Sequence, residues 1–122
     1  MTVRVRRVPV REEVGLSVTF TIQNPGGGPQ SIAGWSFECA FTRQAGTVDF
    51  ELGMAGYPEE GFALFDGEPG QYTMIIAPAT LQGVTDTTGD FTLFGSIIGT
   101  DPDGFRHLIE DLELLVSRSP GT

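Results

Sequence analysis

The chain predicts an all-β sandwich, and three observations carry the prediction. Apolar residues recur at every second position in several short runs, glycine- and proline-rich turns interrupt those runs, and no parallel-sheet crossover helix is readable between them. The count is seven or eight short strands, the number an antiparallel two-sheet sandwich takes.

Residues 31–50, SIAGWSFECAFTRQAGTVDF, form the centre of the pattern. Trp35, Phe37, Cys39 and Phe41 alternate with Ser36, Glu38, Ala40 and Thr42, the two-residue period of a half-buried strand. QAG at 44–46 supplies a hairpin loop, and Val48, Phe50 and Leu52 then alternate with Thr47, Asp49 and Glu51. This hairpin holds the only tryptophan and three of the nine phenylalanines, so the rest of the fold must cover its apolar face.

The other elements follow in order. Val3, Val5 and Val8 alternate with Arg4 and Arg6, so residues 1–14 form either an edge strand, because Pro9 lacks a donor, or a basic arm. Leu16, Val18, Phe20 and Ile22 share one face of a second strand, which NPGGGP at 24–29 stops. GMAGYPEEG at 53–61 reads as an exposed loop that offers Met54 and Tyr57 as contacts. FALF at 62–65 is a short strand, DGEPG at 66–70 a turn, and residues 71–76 a strand with Tyr72, Met74 and Ile76 on one side. PATLQGV at 78–84 makes one helical turn, entered at a proline and left at Gly83.

Residues 90–118 form a last hairpin around DPDG at 101–104. Its second half, residues 105–117, is ambiguous in period. Leu108, Ile109, Leu112, Leu115 and Val116 fit a helix, while Leu112, Leu114 and Val116 alternate. The preceding turn and strand favour a strand, with Glu110 and Asp111 as a bulge where the alternation changes phase. The sandwich domain is therefore 15–119, followed by a tail at 120–122.

Net charge is −9, divided unevenly along the chain. Residues 1–11 hold Arg4, Arg6, Arg7 and Arg11 with no acid, whereas residues 12–122 hold three arginines against all sixteen acids. A basic arm on an acidic body suits intersubunit or intramolecular ion pairs, with Glu59 and Glu60 as acceptors, and opposes binding to nucleic-acid phosphates. One cysteine excludes an internal disulfide, and no cysteine–histidine set could close a zinc site. No signal-peptide run or membrane-length apolar stretch is present, which implies synthesis in a cytoplasm and no membrane partner.

Catalytic chemistry is not legible. His107, the single histidine, lies near Glu110 and Asp111, but no nucleophile elbow accompanies it and Ser96 sits in a strand-like run. Cys39 shares the face of Trp35, Phe37 and Phe41, where a thiol is inert. DPDG lacks the ligands of a calcium loop, since Phe105 and Leu112 occupy the fifth and twelfth positions. Asp86 and Asp90 read as solvated turn aspartates, and Gly26 to Gly28 as a turn with no lysine to cradle phosphate. The residues assign no catalytic group, metal or cofactor.

The order of elements resembles the small immunoglobulin-like β-sandwich domain of tailed-bacteriophage baseplate and tail-fibre proteins, of the kind that begins baseplate upper proteins. The resemblance spans about residues 15–119 and rests on SIAGWS at 31–36, VDFEL at 48–52, APATL at 77–81, GDF at 89–91, DPDG at 101–104 and RHLIE at 106–110. Asp111 stands where the family commonly has glycine, and the family's domain usually heads a longer chain. The resemblance implies an immunoglobulin-like fold and a non-enzymatic adaptor of a phage or prophage tail, baseplate or neck. It implies assembly in host cytoplasm into a virion, in symmetric copies, through other virion proteins. Partner-binding residues on this reading are Arg4, Arg6, Arg7, Arg11, Tyr57, Glu59 and Glu60. A second reading is a carbohydrate- or receptor-binding module that stacks sugar on Tyr57, Trp35 or Tyr72; the alternation, which turns Trp35 inward, opposes it.

Overall fold

The computed structural model describes residues 5–23, 26–28, 30–43, 47–55, 59–64, 70–84 and 89–117. Its strands are β1 (Val5–Arg11), β2 (Leu16–Thr21), β3 (Ser36–Thr42), β4 (Phe50–Leu52), β5 (Gly61–Leu64), β6 (Gln71–Ile76), β7 (Phe91–Thr100) and β8 (Arg106–Ser117), with one short helix, α1 (Pro78–Gln82). A five-stranded sheet in the order β1-β8-β7-β3-β4 packs on a three-stranded sheet in the order β2-β6-β5. This is an immunoglobulin-like sandwich: β2, β6 and β5 take the places of strands B, E and D, and β3, β7 and β8 those of C, F and G.

One pair departs from the antiparallel expectation. β1 runs parallel to β8, from Val5 opposite Asp111 to Arg11 opposite Ser117. The reason lies in the turn after β1, where the Val14 and Gly15 N–H groups both donate to the Arg11 carbonyl and the chain passes to the other sheet. Gly15 takes φ 78°, and a Cβ there would lie 2.5 Å from the Ile76 carbonyl oxygen. β1 is therefore built into the sheet edge, and its Val10 is buried.

The core lies between the sheets. Phe37, Cys39 and Phe41 of β3 face Phe62, Tyr72, Met74 and Ile76 across it, as their alternation predicts. With no disulfide available, an aromatic stack joins the layers. Phe20 lies 5.2 Å from Tyr72, and Tyr72 lies 4.3 Å from Phe37, centroid to centroid. Such contacts add about 0.5–1.5 kcal/mol each to the burial of the rings. Gly95 and Gly99 of β7 make room for this packing: a Cβ at Gly95 would come within 2.8 Å of the Phe41 ring and 2.7 Å of Cys39 Sγ.

Three local expectations need correction. Val48 is 55% exposed; it precedes β4, which begins only at Phe50. Trp35 is only half-buried, since it precedes β3 at the open end of the sandwich. The bulge in β8 falls at Ile109, where Leu108 and Glu110 pair with the adjacent Ile98 and Ile97, one residue earlier than expected. Residues 105–117 form a strand from Arg106 onward, and α1 begins at Pro78 and is capped at Gly83.

Candidate functional site

The described arginines of the N-terminal segment are paired within the chain. Arg6 faces inward, donating to Glu110 at 3.1 Å, with its guanidinium 4.9 Å from the Phe20 ring centre. Arg7 faces outward, donating to Glu113 at 2.9 Å, and Arg11 pairs with Glu13 at 2.6 Å. Glu60 accepts from the Ala77 N–H at 2.8 Å and the Thr80 hydroxyl at 2.5 Å, so it fixes the start of α1. Glu59 is exposed. Arg4, Tyr57 and Asp86 lie outside the described residues.

His107 pairs with Asp101, at 3.0 Å, instead of with Glu110 or Asp111, and stacks on Trp35 with ring centres 5.1 Å apart. The bulge explains the change: it turns Glu110 into the core while His107 stays at the end of the hairpin. Asp101 also accepts the Asp103 and Phe105 N–H groups. The His107 hydrogen bond, and then those turn amides, hold its carboxyl below the usual range. This is a turn lock. Ser96 donates instead to Asp111, at 2.5 Å, on the outer face of the sheet. Burial, and secondarily Asp111, push the Cys39 thiol up to about 12. Among the described residues no group of three or more His, Cys, Asp or Glu could hold a metal ion, and no helix is long and apolar enough to cross a membrane.

The outer face of the five-stranded sheet gathers exposed apolar and acidic side chains. Val5, Phe94, Leu108 and Leu115 all lie on it, at 42–51% exposure. The register sets a row across all five strands, Val5–Asp111–Ser96–Ala40–Glu51. Ser96 and Ala40 are small, while Phe94 stands on one side of them along β7 and Ile98 on the other. The result is a surface depression of about 680 Å³. Four carboxylates line it, those of Glu38, Glu51, Asp111 and Glu113, against one cation, Arg106. Arg106 pairs with Glu38 at 2.8 Å and Arg7 with Glu113 at 2.9 Å, so Glu51 and Asp111 are the two lining carboxylates without an arginine partner among the described residues. The core alternation carries no sign of this face, which forms only when five strands lie side by side. Phe94 was the available signal, being a large apolar residue out of phase with the inward Leu93 and Ile97.

A second exposed apolar cluster caps the β7–β8 hairpin, where Phe105 is 68% exposed and Trp35 is half-buried under His107. A scan against protein-family models gives no match for this chain, and a search of the curated proteins gives no relative.

Proposed function

We propose that this chain is a non-enzymatic adaptor that binds other proteins through the outer face of its five-stranded sheet. The observation that carries the reading is the concentration of four exposed large apolar side chains, Val5, Phe94, Leu108 and Leu115, on that one face. Exposed apolar side chains set among charged ones on a single face mark protein contact sites. The assembly we propose is the tail, baseplate or neck of a bacteriophage or prophage, in several symmetric copies among other virion proteins, assembled in the host cytoplasm. Support for that assembly comes from the SIAGWS and DPDG motifs and the order of elements around them. The inward pairing of Arg6 and the intrachain partners of Arg7 and Arg11 move the proposed contact from the basic arm to the sheet face. Mass spectrometry of purified, DNA-filled particles tests it: several stoichiometric copies are expected, and absence from particles would overturn the virion assignment.

One observation favours a second reading, a carbohydrate- or receptor-binding module at the hairpin end. Trp35 is half-buried and stacked on His107 at the hairpin end that also carries the exposed Phe105, and tryptophan faces stack on sugars. Tyr72 is fully buried and takes no part. A glycan array showing no binding by the wild type, or equal binding by Trp35→Ala, would dispose of this reading.

A further inference from the structure

The depression on the outer sheet face has a spacing as well as a charge. Asp111 on β8 and Glu51 on β4 lie in one cross-strand row, separated by Ser96 and Ala40. Three inter-strand steps of roughly 4.8 Å put their Cα atoms about 14 Å apart. An extended chain advances about 3.3–3.4 Å per residue, so its residues i and i+4, which point the same way, are separated by about 13.5 Å. The residue between them, i+2, would then point at the small floor of Ser96 and Ala40.

The geometry points to a specific occupant: an extended segment of a partner protein, laid across the strands, with arginine at i and i+4 and an apolar residue at i+2. The arginines meet Asp111 and Glu51 at the two ends, and Phe94 offers its ring to a guanidinium stem. The apolar side chain enters between Phe94 and Ile98. Glu51 has no hydrogen bond or ion pair among the described residues, so its carboxylate is available without breaking an existing contact. Arginine suits this site better than lysine, because its flat head both forks onto carboxylates and stacks on a ring. A second copy's own arginine segment is not the occupant, since Arg6 and Arg7 are already engaged with Glu110 and Glu113. The inference rests on the reading of this face as a protein contact site and names the chemistry of what it contacts.

Fluorescence anisotropy with the whole protein and labelled peptides tests it. The peptide RSLSR, flanked by glycines, is expected to bind at low salt. The composition-matched RSLRS, with cations at i and i+3, is expected to bind at least fivefold more weakly, and ESLSE not to bind. Glu51→Arg and Ala40→Phe, both at exposed outward positions, should each weaken RSLSR binding at least tenfold while leaving the thermal midpoint within a few degrees. Equal binding of RSLSR and RSLRS, or unchanged binding to both variants, would overturn the proposal. So would a concentration-dependent dimer of the wild type that Ala40→Phe abolishes, which would assign the face to a second copy. Particle mass spectrometry is independent of these titrations, so failure of the virion assignment and failure of the groove are separately visible.

Discussion

Replacing Arg6 with alanine should cost far more than replacing Arg7, although the two are neighbours on β1 and both pair with glutamates of β8. Arg6 reaches Glu110, whose side chain is 10% exposed, while the Arg6 side chain is 36% exposed. Alanine at position 6 leaves a nearly buried carboxylate with neither oxygen partnered among the described residues, since Glu110 Oε2 already has none. Breaking a fully buried pair costs about 3–5 kcal/mol. Because Arg6 is more than a third exposed, solvent screening reduces that to about 2 kcal/mol. Loss of the contact with the Phe20 ring adds about 0.5–1 kcal/mol, for a total of about 2–3 kcal/mol. Arg7 and Glu113 are 71% and 25% exposed, so Arg7→Ala should cost less than about 0.5 kcal/mol. Urea unfolding at pH 7, with Glu110→Gln and the double variant completing a cycle for Arg6, measures both. Coupling of more than about 1 kcal/mol between Arg6 and Glu110 is expected. Equal costs for Arg6→Ala and Arg7→Ala, or additive effects in the cycle, would refute the assignment of Glu110 and Arg6 as the pin that holds β1.

Four further outcomes follow from the core and the loops. The Tyr72 hydroxyl is buried without a partner among the described residues, so Tyr72→Phe should be neutral or stabilising by up to about 1 kcal/mol in the same urea titration. A loss above that value would mean the hydroxyl is hydrogen-bonded. Gly95→Ala should destabilise by about 1–3 kcal/mol, because the new methyl meets Phe41 and Cys39 inside normal contact distance; an unchanged midpoint would show that Phe41 swings aside freely. The Arg43 hydrogen bond holds the Asp49 carboxyl below its usual range, so its stabilisation is complete above the unfolded value of about 3.9 and is lost as pH falls through the lower folded value. Asp49→Asn should therefore flatten the acid limb of stability against pH below about pH 4, with Asp101 still contributing in the same direction. Cys39 should resist Ellman's reagent at pH 8 in the native protein and react as one thiol in denaturant; rapid native labelling would contradict its burial.

What was legible in the sequence was local in origin. Alternation placed Phe37, Cys39 and Phe41 in the core, turn residues located the DPDG hairpin, and Pro78 and Gly83 bounded one helical turn. In β1 the alternation set Val5 against Arg6 without saying which faces the core; in the sheet Arg6 turns inward to Glu110 and Val5 is exposed. His107 illustrates the limit: its near neighbours in sequence are Glu110 and Asp111, yet a one-residue bulge at Ile109 sends Asp111 to the outer face and Glu110 into the core beside Arg6, and Asp101 is the partner.

The sequence by itself determined which side chains of a regular strand share a face, because a strand's two-residue period is a property of the backbone and needs no neighbour. Only the tertiary structure decided which strands lie side by side. The parallel placement of β1 on β8, the row from Val5 to Glu51 and the depression over Ser96 and Ala40 all depend on pairing between residues far apart in the chain. Pairing is chosen by the closing of the whole core, so a surface assembled from five strands has no signature in any one of them.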